Sequence, residues 1–226
     1  EDELAAEEQE IRARMNALAE EAQTAPEPQP VTDAKAPLPP RLSDPAGEYR
    51  GDPDATTPDA APLTMLEAIR ETLRARMEAD ERVILFGEDI EDPKGDVFGI
   101  TRGLTERYGT RVQNSPLAEA SIVGLSVGRA IAGQRPVAFL QFADFLPIAY
   151  KQIFAELGSM YWRTDGGWQA PVIVMVTCGG YRPGLGPFHA SSLEALAAHT
   201  PGVDVVMPSS AGDAAGLLVG GRGHPV

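Results

Sequence analysis

Residues 111–142 read RVQNSPLAEASIVGLSVGRAIAGQRPVAFLQF, and this stretch decides the fold. A small strand over 111–113 leads through Asn114-Ser115-Pro116-Leu117-Ala118 into a helix over about 118–133. An apolar strand follows at 136–142. Glu119 stands at the mouth of that helix, where acids are favoured by the first-turn N–H groups. Behind it the helix is stripped of bulk. Gly124, Ser126, Gly128, Ala130, Ala132 and Gly133 let another element, or a ligand, come close.

The same alternation continues outward. Upstream, Thr64 and Glu67 form a capping-box signature, and Leu66, Ile69, Leu73 and Met77 give a helical stripe to about Ala79. Residues 82–87 read as a short buried strand, with Glu88 and Asp89 at its exit. A loop with Gly95 and Gly99 leads to a short helix at 104–108. Downstream, a helix is expected at 146–160 with Ile153, Phe154 and Leu157 inward, then a strand at 171–177. A glycine-rich loop from Gly179 to Gly186 precedes His189. A helix (191–199), a strand (203–207) and a helix (210–221) follow. Another strand is expected to start at His224-Pro225-Val226, so the sequence reads as cut off there. Strands alternating with helices predict an α/β fold, a mostly parallel sheet with helices on both faces.

Two segments lie outside this pattern. Residues 1–23 read as an amphipathic helix, with Leu4, Ile11, Met15 and Leu18 on one face. So thin a stripe needs a partner surface. Residues 24–63 hold 10 of the 20 prolines and almost no large apolar residues, the composition of an extended linker. The domain is then 64–226.

The net charge of −14 is uneven. Residues 1–63 carry 15 Asp/Glu against 5 Lys/Arg, and 64–226 carry 18 against 14. No basic patch is present, which argues against nucleic acid as a partner. Cys178 is the single cysteine, so there is no internal disulfide, as in a reducing compartment. No apolar run reaches membrane-spanning length, and the acidic start is unlike a signal peptide. A cytoplasmic protein with no membrane partner is expected.

Two short motifs compete for a functional reading. Gly124-Leu125-Ser126-Val127-Gly128 fits the GxSxG nucleophile elbow of serine hydrolases, which needs a preceding strand and a sharp turn at the serine. Continuous helix is the better reading here. Gly184-Leu185-Gly186 begins like a dinucleotide loop, but His189 stands where the third glycine belongs. Among His189, His199, His224 and Cys178 no spacing suggests zinc, and no metal ligands are assigned.

Several motifs occur in order over about 160 residues. They are Leu-Phe-Gly-Glu-Asp (85–89), Thr-Arg-Gly-Leu (101–104) with Tyr108-Gly109, Ser-Pro-Leu-Ala-Glu (115–119) and Gly-Leu-Ser-Val-Gly (124–128). Gly-Gln-Arg-Pro (133–136), Phe142 to Phe145, Gly-Pro-Phe-His (186–189) and His-Thr-Pro-Gly (199–202) follow. With them, residues 64–226 resemble the pyrimidine-binding, transketolase-like domain of the beta half in thiamine-diphosphate-dependent 2-oxoacid dehydrogenases. Residues 1–30, down to Ala-Pro-Glu-Pro at 25–28, resemble the tail of the alpha half. A fused alpha–beta chain is implied, of which this is a piece across the joint.

The resemblance implies roles for four residues. Glu119 matches the glutamate that hydrogen-bonds a ring nitrogen of the aminopyrimidine and so promotes proton removal from the thiazolium carbon. Burial would raise its pKa. Its plainer reading is a helix-start carboxylate. His189 matches a histidine near the substrate carboxylate, acting in substrate binding or acyl transfer to a lipoyl group. Otherwise it is a loop histidine capping the next helix. The family often has a serine directly after this histidine, and here Ala190 stands there with Ser191 next. Phe145 matches an aromatic ring against the pyrimidine, or packs in the core beside Phe139 and Phe142. Glu88 matches a group near the proton network of Glu119, or belongs to a solvated turn with Asp89.

The family holds the diphosphate and Mg²⁺ in its alpha half through a Gly-Asp-Gly motif, and that motif is absent here. The thiamine diphosphate would be shared, with Mg²⁺ held by the alpha half and not by this chain. A structural K⁺ near the end of the domain is not assigned. The implied partners are the alpha half, further copies in a hetero- or homo-oligomer, and a lipoyl acyltransferase. The chain is expected to be inactive alone, with pyruvate and branched-chain 2-oxoacids as substrate classes. The alternatives are a truncated non-catalytic assembly fragment and a transketolase-like enzyme.

Overall fold

The computed structural model describes residues 2–27, 62–180 and 183–220. Most of the expected linker, the end of the alpha-like tail and the strand start expected at 224–226 lie outside these residues.

Helix α1 (Asp2–Thr24) forms a unit of its own and is described by itself. Arg12 pairs with Glu8 one turn back at 2.7 Å, a spacing that supports an isolated helix. The stripe of Leu4, Ile11, Met15 and Leu18 is 50–71 % exposed.

In the second unit, α2 (Met65–Ala79) opens on the capping box read from the sequence. Glu67 N–H donates to Thr64 Oγ1, and Thr64 N–H donates to Glu67 Oε2 at 2.8 Å. The next elements are β1 (Val83–Gly87), α3 (Leu104–Tyr108), β2 (Val112–Asn114) and α4 (Glu119–Ile131). After them come β3 (Arg135–Phe142), α5 (Leu146–Lys151), a π-helical turn (Gln152–Gly158) and α6 (Ser159–Arg163). The last described elements are β4 (Ile173–Thr177), α7 (Glu194–Ala198) and α8 (Ala211–Gly220).

The four strands form one parallel sheet in the order β2-β1-β3-β4. Alternate residues feed two cores, because successive side chains of a strand point to opposite faces. Phe86, Ala138, Leu140 and Val172 meet Ile122, Val123 and Val127 of α4 and Leu146, Ile153 and Leu157 beyond β3. Leu85, Val137 and Phe139 meet Leu73 and Met77 of α2, with Leu104 and Val112. Both faces are covered, as parallel sheets require.

Chain order reverses between β1 and β3. The connection after β1 leads to β2 on one side, and the one after β3 leads to β4 on the other. Such a switch point opens a crevice at the carboxyl ends of the two strands, where open α/β sheets bind ligands. The backbones there are very close. A Cβ on Gly87 would lie 2.3 Å from the Phe139 carbonyl oxygen.

Three expectations are corrected. Phe154 is 50 % exposed rather than inward and stacks on Tyr150 with ring centroids 5.9 Å apart. The π-helical turn is the cause, since its wider turn keeps Ile153 and Leu157 inward but rotates Phe154 out. No strand forms at 203–207. Val205, Val206 and Met207 are exposed, and among the described residues no strand lies beside β4 to supply a ladder. The helix expected from 191 starts at Glu194, because Ser191 is engaged elsewhere. The turn at 199–202 is required by packing. Gly202 has φ +83°, and a Cβ there would lie 2.1 Å from the Gly158 carbonyl oxygen.

Candidate active site

The four residues singled out in the sequence fall into two pairs at the carboxyl ends of the strands: Glu88 and Glu119, whose charges interact, and Phe145 and His189, whose rings meet edge-on. Glu88 follows Gly87 directly, at the end of β1. Its residue is 2 % exposed. Its backbone N–H donates to Phe139 O at 3.4 Å, and Gln141, itself buried, donates its side-chain amide to the Glu88 carbonyl. The carboxyl is less well served, since among the described residues Oε1 has no hydrogen-bond partner. Burial pushes the Glu88 pKa up to about 7, helped next by the charge of Glu119 and opposed by hydrogen bonding from the Gln141 backbone. The solvated-turn reading of Glu88 is therefore wrong, because the strand end carries it inside. Asp89 stays half-exposed and pairs with Lys94.

Glu119 is the first residue of α4, half-buried. No side-chain cap satisfies the start of this helix. Asn114, at the end of β2, braces the approach. Its Oδ1 accepts from Ile90 N–H at 2.7 Å and Glu91 N–H at 3.1 Å, and its own N–H donates to Glu91 Oε1 at 2.8 Å. Ser115 N–H donates to Gly87 O at 2.7 Å. The exits of β1 and β2 are thus laced together beneath the two glutamates.

On the β3 side the rings assemble. Phe142 meets Phe145 edge-on at 6.1 Å, and His189 lies edge-on to Phe142 at 4.7 Å and to Phe145 at 5.7 Å. Phe142 is buried, whereas Phe145 and His189 are half-exposed. Phe145 therefore leaves part of its ring free for a planar partner. Phe98 closes the cluster at 6.0 Å from Phe142.

Other candidates separate from this crevice. Ser126 is fully buried in the middle of α4. It has neither the preceding strand nor the sharp turn of a nucleophile elbow, and the hydrolase reading falls. Burial, and then the charge of Glu194, push the Cys178 thiol up, which makes it a poor nucleophile. Among the described residues no cluster of His, Cys, Asp and Glu is arranged to hold a metal, and no helix is long and apolar enough to cross a membrane.

Sequence reasoning missed two contributors. Asp144 accepts from Ser191 Oγ at 2.5 Å and from Ser191 N–H at 3.2 Å. Gln141 bridges the Glu88 carbonyl and Val97 N–H, the latter at 3.4 Å. A polar residue inside the apolar run 136–142 was the available signal for Gln141.

The groups at these strand exits are of the kinds an aminopyrimidine cofactor would need from this chain. A buried carboxyl with an unpartnered oxygen can share or hold a proton, a second carboxylate stands at a helix start, and an aromatic ring is partly bare. Nothing among these residues offers a cradle for a diphosphate or its metal.

Residues 61–220 match the family described as transketolase, pyrimidine binding domain. The chain is 41 % identical over 157 residues to the 2-oxoisovalerate dehydrogenase subunit beta of Bacillus subtilis, covering 69 % of this chain and 47 % of the relative. It is 41 % identical over 162 residues to the pyruvate dehydrogenase E1 component subunit beta of the same organism, covering 70 % and 49 %. The 2-oxoisovalerate dehydrogenase subunit beta of Pseudomonas aeruginosa is 39 % identical over 158 residues, covering 70 % and 45 %. The chain thus spans about half the length of the curated relatives it matches. Its fold is like that of a solved split gene transketolase, an inactive beta4 tetramer, with TM-score 0.57 and 19 % identity over 70 % of this chain and 47 % of that one. The chain belongs to the transketolase pyrimidine-binding domain family.

Proposed function

We propose that residues 64–226 are the pyrimidine-binding domain of the beta half of a 2-oxoacid dehydrogenase, which decarboxylates pyruvate or branched-chain 2-oxoacids and passes the acyl group to lipoyl groups. What supports this reading is a pair of groupings at the carboxyl ends of the parallel strands: the interacting Glu88 and Glu119 carboxyls, and the edge-on Phe145 and His189 rings 5.7 Å apart. The similarity to pyruvate and 2-oxoisovalerate dehydrogenase beta subunits supports the reaction class.

Thiamine diphosphate, when bound, supplies the electron sink that this decarboxylation needs. The chain's own residues do the rest. Glu119 would meet a ring nitrogen of the aminopyrimidine with its carboxyl group. Glu88 keeps a proton near neutrality, because its buried carboxyl resists ionisation beside the charge of Glu119. The exposed part of Phe145 would offer an aromatic surface for the pyrimidine to pack against. His189 orients the substrate carboxylate and serves acyl transfer.

Mg²⁺ and the diphosphate are held by an alpha half, to which residues 1–30 belong as its tail in a fused chain. The working enzyme is a cytoplasmic oligomer that hands its product to a lipoyl acyltransferase. Titration calorimetry tests the cofactor reading. A mixture of this chain and an alpha half should bind thiamine diphosphate with Mg²⁺ more tightly than the alpha half alone, and Phe145→Ala should remove most of that gain. Equal binding with and without this chain would contradict it.

A further inference from the structure

We propose that Asp144 and Ser191 are positioning residues, a two-point clamp that sets the His189 imidazole over the crevice. The proposal rests on the role given to His189 above. Asp144 sits on the single turn (Ala143–Phe145) that leaves β3, between the buried Ala143 and Phe145. Both of its carboxylate oxygens are used by one residue. Ser191 Oγ donates to Oδ1 at 2.5 Å, and Ser191 N–H donates to Oδ2 at 3.2 Å. A single bond would let the loop pivot, whereas two bonds to one planar group set its direction as well as its distance. The Ser191 carbonyl is tied in turn, accepting from Gly179 N–H at 3.2 Å. Residue 191 is therefore anchored to the exits of both β3 and β4.

His189 lies two residues before this anchor and packs edge-on against Phe142 and Phe145, the latter next in sequence to Asp144. Ala190 between them has no polar group to offer. The hold on this loop is made by Ser191. The clamp is built to stay charged. Burial alone would raise the Asp144 pKa, but the hydrogen bonds from the Ser191 side chain and backbone, with a contribution from His189, bring it below its ordinary value.

The chain has three histidines, so imidazole ¹⁵N resonances of the labelled full chain are assignable with His189→Gln. The clamp predicts that Ser191→Ala and Asp144→Asn each shift or broaden the His189 resonance and leave His199 in place, and that Ser191→Thr, which keeps the hydroxyl, retains the native spectrum. In the complex with an alpha half, Ser191→Ala should lower kcat by roughly ten- to a hundredfold through misplacement of His189. It should leave cofactor affinity unchanged, and Ser191→Thr should rescue it. An unmoved His189 resonance in both Ser191→Ala and Asp144→Asn overturns the clamp. Full activity of His189→Gln in the complex would instead overturn the role of the histidine, with the clamp judged by the spectra alone.

Discussion

Glu119, at the start of α4, adds its charge to the burial that raises the Glu88 carboxyl at the end of β1 to about 7. The two acids come from different strand exits, 31 positions apart in the chain, and meet because β1 and β2 are neighbours in the sheet.

Stability should record this pairing. A carboxyl whose pKa is raised by folding binds its proton more tightly in the folded state. Its favourable contribution is present below the ordinary glutamate pKa and is lost as pH rises towards about 7. A shift of this size is worth on the order of 3 kcal/mol. Glu88→Gln should raise the melting temperature of the chain at pH 8 and change it little at pH 4. Equal effects at both pH values would mean that folding does not raise the Glu88 pKa.

Gly87→Ala should be strongly destabilising. The added Cβ would lie 2.3 Å from the Phe139 carbonyl oxygen and 2.7 Å from its Cβ, and both belong to the central β1–β3 pair. Forcing these strands apart should cost about 3 kcal/mol or more, read as a fall in the denaturant midpoint. A loss under about 0.5 kcal/mol would refute the close approach at the floor of the crevice.

Ser126→Ala should be nearly silent. Its Oγ is buried without a hydrogen-bond partner among the described residues, so removing it relieves an unsatisfied group at the cost of little packing. Stability should stay within about 1 kcal/mol of the parent or rise. Activity in the complex should be retained. Abolished turnover with an intact fold would revive a nucleophilic role for this serine.

The sequence was most readable where a local rule and the tertiary structure agree. The Thr64–Glu67 capping box starts α2 as expected, and the alternation of apolar runs with helical stripes corresponds to the observed two-faced parallel sheet. Legibility failed where a neighbour in space decides. Phe154 has a core-like position in a regular helix, and only the π-helical turn turns it outward. The stretch 203–207 has the composition of a strand but no partner ladder among the described residues. For Glu88 the sequence supports a turn and a site equally, because the burial of one side chain past a strand end depends on β3 and α4. The hold on Ser191 is not legible in the sequence, since its partner Asp144 lies 47 positions earlier.

The central claim is that Glu119 supplies the carboxyl group that meets the aminopyrimidine in a cofactor site shared with an alpha half. The most direct measurement is 2-oxoacid-dependent reduction of an artificial electron acceptor by this chain mixed with an alpha half, with and without thiamine diphosphate and Mg²⁺, for the parent and for Glu119→Ala. The account predicts cofactor-dependent turnover by the parent complex and a loss of at least about a hundredfold in the variant, with complex formation preserved. A Glu119→Ala complex that assembles and turns over at the parent rate would contradict it.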